Sequence, residues 1–597
     1  MQPPATYVHS WHCTLLHGEF GVYPSKGIRY ALSLTQTGLH IQRLVPKPED
    51  DQRIVVPILD MVGCHTLRRG SSDTFAYFSI FTYPLKKKKV TMGSSRTRQR
   101  TVRTFRVDEE SDYNKNKAVA EKWAIALKCL IQGIPISSET ELVPDLLPRT
   151  RRLFLLLNPC GGRGNAFQQC HSHILPMITE ADISYNLIQT ERQNHARELV
   201  QGINLEEWDG IIVISGDGLL YEVINGLMER PDWEDAIKMP VGILPCGSGN
   251  ALAGAINYNA GFEQAMGSEL LLNCILLLCR GTVMPMDLVS VTTCSGTRCF
   301  SFLSVAWGFI SDVDIESEKY RHMGSARFTV GTMVRVASLR TYKGRLSYLP
   351  VLDGHRPICR SITLAANGSL VPFQRSQLHR TISDMGLCEE RNVMYKRSSA
   401  SYDTNELPSF ETPSPGSPTA LHTSSFPFDS LSEPSNQEGR PLHRDVASTN
   451  HHQVNGPKDD LIPPLGQPVP KTWVTLEEDF VLVLAIYQSH LGADLFTAPF
   501  SSINDGLIHL FFVKAGISRA SLVRLFLAME KGNHIEMECP YVVHVPARAF
   551  RLEPLTQKGI LTVDGEQVEY GPIQAQMHSG LSNLISGSNR IMQKPLC

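Results

Sequence analysis

The sequence predicts an α/β domain with a doubly wound parallel sheet, an antiparallel β-sandwich domain after it and a β-rich module before it. Between residues 146 and 282, continuous apolar runs alternate with helical stretches, as parallel strands buried on both faces require. Shorter strand-like segments dominate on either side. Residues 371–470 hold 13 of the 37 Pro together with many Ser, a composition typical of a disordered insertion.

Composition narrows the class of protein. A chain of 597 residues is too long to fold around one hydrophobic core, so we expect two or three domains. Its net charge of −2 gives no chain-wide signal for nucleic acid, so we expect no direct nucleic-acid binding. The 14 Cys include no C-x-x-C pair, which favours reduced thiols over zinc. The start lacks the features of a signal peptide, and the longest apolar stretch, 270–279, is about half a membrane span. These features favour a cytosolic or nuclear protein with only peripheral membrane contact. We expect a cytoplasmic protein with nuclear pools and with peripheral membrane pools, for which the endoplasmic reticulum, plasma and mitochondrial membranes are the candidates.

The N-terminal extension, residues 1–145, contains predicted strands at 28–34, 40–44 and 76–83. A helix predicted at 117–131 places Val119, Trp123, Leu127 and Leu130 on one face. Many strands followed by one helix with a buried Trp is typical of a PH-like module.

A basic run lies within this extension. It comprises Lys86, Lys87, Lys88, Lys89, Arg96, Arg98, Arg100, Arg103 and Arg106, with no acidic residue among them. A solvated loop is the simple interpretation, but nine like charges repel one another and usually have a partner. Anionic membranes and a nuclear import receptor are the candidate partners.

The α/β domain, 146–282, has predicted strands at 153–157, 183–188, 211–214 and 241–244. The sandwich domain is predicted to span 283–370 and 471–577, with a tail at 578–597. Its predicted strands are 288–293, 298–305, 361–366, 480–487 and 507–513. A helix at 518–531 turns Leu522, Leu525, Phe526 and Met529 inward, and its basic residues make calmodulin a candidate partner, although a packed helix is favoured.

Three glycine-rich turns each follow a predicted strand and precede a helical stretch. They are Asn158-Pro159-Cys160-Gly161-Gly162-Arg163-Gly164, Ser215-Gly216-Asp217-Gly218 and Pro245-Cys246-Gly247-Ser248-Gly249-Asn250. In a parallel sheet such turns share the carboxyl edge, where backbone amides and helix N-termini can hold phosphate. Neither the Walker A nor the G-x-G-x-x-G spacing is present, and the protein-kinase set is incomplete because D-F-G is absent. A different phosphate-binding scheme is predicted.

Asp217 lies between two of these glycines. A carboxylate among phosphate-binding amides repels phosphate unless it binds a metal ion or accepts a proton. The alternative, an Asp that caps the following helix, explains the residue but not its flanking glycines. We predict a chemical role for Asp217.

The three turns, read as N-P-x-G-G-x-G, S-G-D-G-L-x-x-E-V-x-N-G-L and L-P-x-G-S-G-N-A-L-A, resemble the diacylglycerol kinase catalytic superfamily. Four further segments are similar to sphingosine kinases: 190–196, 306–314, 324–328 and 563–566. The resemblance runs in order over 150–370 and 470–575. The N-terminal extension and the insertion resemble the type 2 members of that family.

The resemblance implies a lipid kinase that uses ATP and Mg²⁺ and phosphorylates the primary hydroxyl of sphingosine or dihydrosphingosine. It implies that Asp217 is the general base and that Asp314 holds the polar head of the lipid. Ser215, Gly216, Asp217 and Gly218 would meet the substrate. The resemblance assigns ATP binding to Asn158, Pro159, Cys160, Thr190, Glu191, Arg192, Gln193, Asn194, Glu222, Gly247, Ser248, Gly249, Arg321, Arg327, Asp564, Gly565 and Glu566. It assigns no metal ligands.

Physical chemistry agrees with these roles. Arg321 and Arg327 suit bidentate phosphate contact, although an ordinary surface or inter-strand Arg is the simpler interpretation of each. A carboxylate such as Asp314 favours the ammonium of a sphingoid base over neutral lipids. Trp307 and Phe309 can line a channel for the lipid tail or pack in the core. The alternatives are a ceramide or diacylglycerol kinase and a catalytically dead lipid-binding regulator.

The insertion offers candidate phosphorylation sites for regulatory kinases. Ser383 follows a basic residue, Arg380, and Thr412, Ser414 and Ser417 each precede Pro. We expect a phosphoprotein in which added charge changes partners without disturbing the core.

Overall fold

Residues 14–25, 27–45, 53–70, 73–90, 93–351 and 455–587 are described by the computed structural model, without the side chains of 45, 87–90, 93–95 and 321. They belong to a unit made of Met1–Gly354 and Ser435–Cys597. A second unit, His355–Pro434, lies outside the described residues, and so does the predicted strand 361–366.

The N-terminal module is a seven-stranded antiparallel sheet with the order β4-β3-β2-β1-β9-β6-β5, on which one helix packs. Phe20, Phe78 and Trp123 meet at its centre, with ring centroids 5.2–5.9 Å apart. The helix begins earlier than predicted because Asp112 caps it by accepting the amide of Asn114 at 3.0 Å. The elements are β1 Leu16–Tyr23, β2 Arg29–Leu34, β3 Gly38–Val45, β4 Ile54–Pro57, β5 Met61–Leu67, β6 Ala76–Thr82, β7 Leu85–Val90, β8 Gly93–Arg98, β9 Thr101–Val107 and α1 Tyr113–Ile131.

The basic run differs from its prediction. Its first half forms the β7–β8 hairpin, and three of its arginines contact the α/β domain. Arg96 pairs with Glu263 at 2.8 Å, the buried Arg98 bonds Asn273 at 2.6 Å, and Arg100 bonds Glu180 at 2.5 Å. The prediction that the whole basic run binds partners outside the protein is therefore wrong for Arg96, Arg98 and Arg100. Their partners lie 80–175 residues away in the sequence, beyond the reach of local charge patterns.

The predicted doubly wound sheet is confirmed: four parallel strands lie in the order β11-β10-β12-β13. The strands are fully apolar where helices cover both faces, as at Ile211–Ile214. Helix α3 packs against α8, and α4 packs against α5. The elements are β10 Arg152–Leu157, α2 Ala166–Gln169, α3 Leu175–Glu180, β11 Ser184–Gln189, α4 His195–Gly202, β12 Gly210–Ser215, α5 Asp217–Met228, α6 Trp233–Ala236, β13 Val241–Pro245, α7 Ala251–Asn259 and α8 Gly267–Arg280.

The predicted β-sandwich follows, with a core that includes Trp307, Phe480, Phe512 and Phe550. Burial of each such ring contributes about 1.5–3 kcal/mol. Helices α9, α10 and α11 lie together outside this core. The elements are β14 Val283–Thr292, β15 Arg298–Ser301, β16 Ser304–Gly308, α9 Phe309–Glu316, α10 Ala326–Ala337, β17 Tyr342–Pro350, β18 Val474–Ile486, β19 Ile508–Lys514, α11 Arg519–Met529, β20 Val542–Pro554, β21 Leu561–Val563, β22 Glu566–Val568 and β23 Ile573–Ile585.

Two boundaries in the sandwich differ from prediction. The predicted strand 298–305 is two strands, because the chain turns at Phe302 and Leu303, whose amides donate to Asp564 at 3.0 Å each. The predicted tail from 578 is wrong up to Ile585, since β23 runs that far and pairs with β14 and β20. Leu584 at its end also pairs with Val241 of the parallel sheet.

The end of the predicted insertion is also corrected. Residues 455–470 form a returning segment that packs on the sandwich, whereas residues 371–454 lie outside what the structure describes. Asp459 accepts bonds from Ser290, Arg298 and His578 at 2.5–3.0 Å. The buried Arg551 donates to the carbonyls of Pro463 and Gln467. The prolines of this segment therefore lie in an ordered stretch of chain. The prediction of disorder, which rested on composition, is wrong for residues 455–470.

Within the described part of the chain, no helix is both long enough and apolar enough to cross a membrane.

Candidate active site

The three glycine turns meet at the carboxyl edge of the parallel sheet and touch through their backbones. A Cβ on Gly162, which has φ of 56°, would lie 2.5 Å from the carbonyl oxygen of Cys246. A Cβ on Gly247 would lie 2.4 Å from the Cα of Gly216. Both contacts are too short for any side chain. Some of these glycines are thus required by the packing of turn against turn, a reason that the motif alone did not reveal.

Asp217 is the first residue of α5 and is buried at this edge. Its carboxylate accepts the amides of Ala251 at 2.8 Å and Leu252 at 3.1 Å, the first two residues of α7. Burial raises the pKa of Asp217, and these backbone bonds oppose the rise. Asp217 caps a helix, but a neighbouring helix rather than its own, and it still faces the cavity described next.

One cavity of about 1520 Å³ extends from the glycine turns into the space beneath the sandwich helices. Its polar end contains all but two of the residues predicted to bind ATP or substrate. These lining residues are Asn158, Pro159, Cys160, Thr190, Glu191, Arg192, Gln193, Ser215, Gly216, Asp217, Gly218, Glu222, Gly247, Ser248, Gly249, Asp314, Arg327, Asp564, Gly565 and Glu566. Asn194, which precedes α4 with φ of 64°, is not among them, and the side chain of Arg321 is not described.

Glu222 holds the start of α4 much as Asp217 holds the start of α7. Its carboxylate accepts the amide of Ala196 at 3.2 Å, and burial raises its pKa. At the surface beside it, Arg192 forms a two-pronged ion pair with Glu198. The segment predicted to bind ATP is therefore anchored from inside by a carboxylate.

Asp314 lies where the polar end of the cavity meets its apolar end. Its carboxylate is 3.3 Å from the guanidinium of Arg327, which also pairs with Glu318 and stacks on the Phe328 ring. Burial raises the pKa of Asp314 to about 7; Arg327 lowers it, while the charges of Glu318, Glu566 and Asp217 raise it further. A quarter of the Asp314 side chain stays accessible. A cationic ligand group would restore its charge.

Asp564 lines the cavity, but its carboxylate is engaged within the protein. Its buried carboxylate accepts the hydroxyl of Ser301 and the amides of Phe302, Leu303 and Ser304 at 2.5–3.0 Å. Burial raises its pKa to about 6 despite these bonds. The side chain is committed to the turn between β15 and β16, so Asp564 reaches the cavity mainly as the support of Gly565 and Glu566.

The apolar end of the cavity is built by α9, α10, α11 and the loop after β18. Phe309 lines it, whereas Trp307 is fully buried in the sandwich core and does not. The remaining apolar lining includes Ile310, Val313, Phe328, Met333, Val336, Leu491, Leu495, Val523, Phe526 and Leu527. Sequence reasoning missed most of these residues. Met333 and Leu527 are 68% and 58% exposed although they are apolar, and this exposure is visible only in the structure.

Two family models match the α/β domain and the sandwich domain of this chain. Residues 152–291 match the diacylglycerol kinase catalytic domain, and residues 474–586 match the YegS C-terminal NAD kinase beta sandwich-like domain. A solved structure described as a putative diacylglycerol kinase from Bacillus anthracis str. Sterne aligns with 74% of this chain and 98% of its own, with 14% identity and a TM-score of 0.41.

Two curated human relatives are more similar. Sphingosine kinase 2 is 53% identical over 96% of this chain and 91% of its own length. Sphingosine kinase 1 is 45% identical over 74% of this chain and 92% of its own length. With the catalytic and sandwich domains both matched and the glycine turns assembled at one edge, the chain belongs to the sphingosine kinase family.

Proposed function

We propose that this protein transfers the γ-phosphate of ATP to the primary hydroxyl of sphingosine or dihydrosphingosine. The observation that carries the proposal is the single cavity in which glycine turns and Asp217 form one end, Asp314 the middle and apolar helices the other end. A nucleotide, a cationic head group and a hydrocarbon tail fit these three zones in that order. The names of the human relatives support the same substrate.

In this mechanism Asp217 accepts the proton of the attacking hydroxyl. Its raised pKa makes it a stronger base than a surface carboxylate, and the two amides of α7 keep its oxygens in place. The backbone amides of the turns hold phosphate oxygens. Phosphoryl transfer depends on such positioning and charge neutralisation more than on covalent chemistry.

Mg²⁺ would accompany the nucleotide. In the described ranges, no cluster of three His, Cys, Asp or Glu side chains forms a dedicated metal site. Mg²⁺ commonly keeps several waters and binds one or two carboxylates plus substrate phosphates, and the carboxylates at the polar end fit that need. Bound there, the ion would neutralise charge on the transferring phosphate.

Asp314 would select the lipid. A sphingoid base brings an ammonium that can pair with this carboxylate, whereas the amide of ceramide and the esters of diacylglycerol cannot. Arg327 is already engaged by Asp314 and Glu318, so a phosphate contact from Arg327 requires it to exchange partners. Met333 and Leu527 open the apolar end to the surface, a route by which a tail can enter.

A lipid panel tests this function against its alternatives. Purified protein is incubated with γ-labelled ATP and sphingosine, dihydrosphingosine, ceramide or diacylglycerol in matched detergent micelles. We expect label in the two sphingoid bases. Label mainly in ceramide or diacylglycerol would overturn the assigned substrate, and no label in any lipid would favour a dead regulator.

The insertion is proposed to serve regulation by modifying kinases rather than chemistry. Deleting residues 376–450 should leave kcat/KM for sphingosine within a few-fold of the intact chain. Deleting 376–465 should lower Tm by several degrees, because it also removes Asp459 and the carbonyls held by Arg551. Thermal unfolding and lipid kinase assays on both deletions check this. A folded but inactive 376–450 deletion would show that the insertion helps to build the site.

The N-terminal module is proposed to be PH-like and, through its lysines, to govern location. Changing Lys86–Lys89 to Ala, with the arginines kept, should release the protein from anionic vesicles or deplete it from nuclei. Each Lys near an anionic surface contributes about 1 kcal/mol. The control changes Lys115, Lys117 and Lys122 of α1 to Ala. Unchanged distribution with reduced activity on detergent-dispersed sphingosine would contradict the proposal. Calmodulin and an import receptor stay candidate partners.

A further inference from the structure

Arg98 joins the N-terminal module to the α/β domain through a fixed set of bonds. It is 8% exposed, and its Nε donates to Asn273 Oδ1 at 2.6 Å. Its Nη1 donates to Asp60 Oδ1 at 3.0 Å and to the carbonyl of Tyr83 at 2.9 Å. The guanidinium also lies 5.0 Å from the centroid of the Phe262 ring. A rigid fork with this many directional partners fixes Asn273 in one orientation.

Asn273 passes the contact on to α7. Its Nδ2 donates to Asn257 Oδ1 at 2.9 Å, and Asn257 Nδ2 donates to the carbonyl of Glu263 at 2.8 Å. Asn273 and Asn257 are 3% and 2% exposed. Because each buried amide is committed at both its oxygen and its nitrogen, a change at one member leaves an unpaired polar atom in the next.

Helix α7 connects this network to the reacting end of the cavity. Asn257 lies in its last turn, and Ala251 and Leu252 in its first turn donate to the carboxylate of Asp217. Residues 251 and 257 are six helical steps apart, a length of about 9 Å. A short helix moves as one body, so a shift at Asn257 changes the two bonds that hold Asp217.

We propose that Arg98 is a positioning residue for phosphoryl transfer: through Asn273, Asn257 and helix α7 it sets the amides that hold the Asp217 carboxylate. The N-terminal module is then a part of the catalytic structure. The proposal rests on the proposed function only where it predicts a change in kcat. The hydrogen bonds that connect Arg98 with Asp217 do not depend on the identity of the substrate.

The kinetic test uses the full-length Arg98→Gln protein with sphingosine in detergent and saturating ATP. We expect kcat to fall about five- to tenfold, with KM for ATP and sphingosine within twofold. The two amides oppose the rise in the pKa of Asp217, so loosening them should move the acid limb of the kcat–pH profile to higher pH. Asp314 and Glu566 are unchanged in this variant and keep their own influence on the profile.

Two further variants separate positioning from folding. Asn273→Asp keeps the acceptor for Arg98 but replaces the donor to Asn257 with an oxygen, so it should give the same kinetic signature with the module docked. Arg96→Gln removes an exposed ion pair of the same strand, and it should leave kcat and the pH profile unchanged. If Arg98→Gln does not fold, Asn273→Asp decides the outcome.

Amide exchange gives a readout that needs no activity. The first turn of α7 should exchange several-fold faster in Arg98→Gln and Asn273→Asp than in Arg96→Gln or the native protein. If the native protein has no kinase activity but the two variants show this faster exchange, the proposed function is wrong, while the connection from Arg98 through Asn273, Asn257 and α7 to Asp217 stands. If Arg98→Gln and Asn273→Asp both have the exchange rates of the native protein and the same acid limb of the kcat–pH profile, the positioning role of Arg98 is wrong.

Discussion

Replacing Asp217 with Asn is expected to lower kcat for sphingosine phosphorylation by about 10²–10⁴-fold, the usual cost of losing a general base. The amide cannot accept the hydroxyl proton. It can still accept one of the two amides of α7, but its NH₂ must face the other, so a stability loss of about 0.5–1.5 kcal/mol accompanies the kinetic loss. The measurement is kcat on purified protein, with thermal unfolding of the same sample.

Asp209→Asn is the matched control for this experiment. Asp209 precedes β12 at the opposite end of the same strand, where it accepts Arg149 and the amide of Arg152. Asp209→Asn should lower the free energy of unfolding about as much as Asp217→Asn does, without a comparable loss of kcat. Near-native turnover by folded Asp217→Asn protein would remove Asp217 from the chemistry and leave it only the helix-capping role.

Replacing Asp314 with Asn is expected to raise KM for sphingosine about 10- to 150-fold, which corresponds to about 1.5–3 kcal/mol for a charged hydrogen bond. KM for ATP should change little. Because Asp314 has a pKa of about 7, the native KM for sphingosine should fall as pH rises through 7, where the carboxylate gains its charge. The variant should show no such dependence while the lipid amine stays protonated.

The comparison of both substrates across pH 6–8 decides the role of Asp314. A rise in KM for ATP, with sphingosine unaffected, would place Asp314 in the nucleotide site through its contact with Arg327. Ceramide phosphorylation should not suffer from the substitution, because a neutral lipid gains nothing from the carboxylate.

The sequence predicted the strands and turns of the α/β domain well because their signals are local. An apolar run such as Ile211–Ile214 predicts a buried strand, and the glycines that follow it predict where the strand ends. The candidate site at the carboxyl edge follows from parallel topology alone. All but two of the residues predicted to bind ATP or substrate line this cavity.

What sequence reasoning missed depends on distant partners. Arg98 has the same sequence signal as its neighbours, and only Asn273, 175 residues away, makes it a buried contact. The division of strand 298–305 depends on Asp564, which lies more than 250 residues later. Leu527 and Met333 belong to separate helices whose shared cavity appears only after folding. Each case requires a contact that no local window contains.

The last strand of the fold has a consequence for how the protein is made. β23 pairs with β13 of the parallel sheet and with β14 and β20 of the sandwich. Until the ribosome releases this strand, β13 presents an open edge able to pair with another nascent chain. Completion of the nucleotide-binding sheet therefore waits until β23 has been synthesised. A message truncated shortly before Ile585 would yield an aggregation-prone product rather than a smaller enzyme.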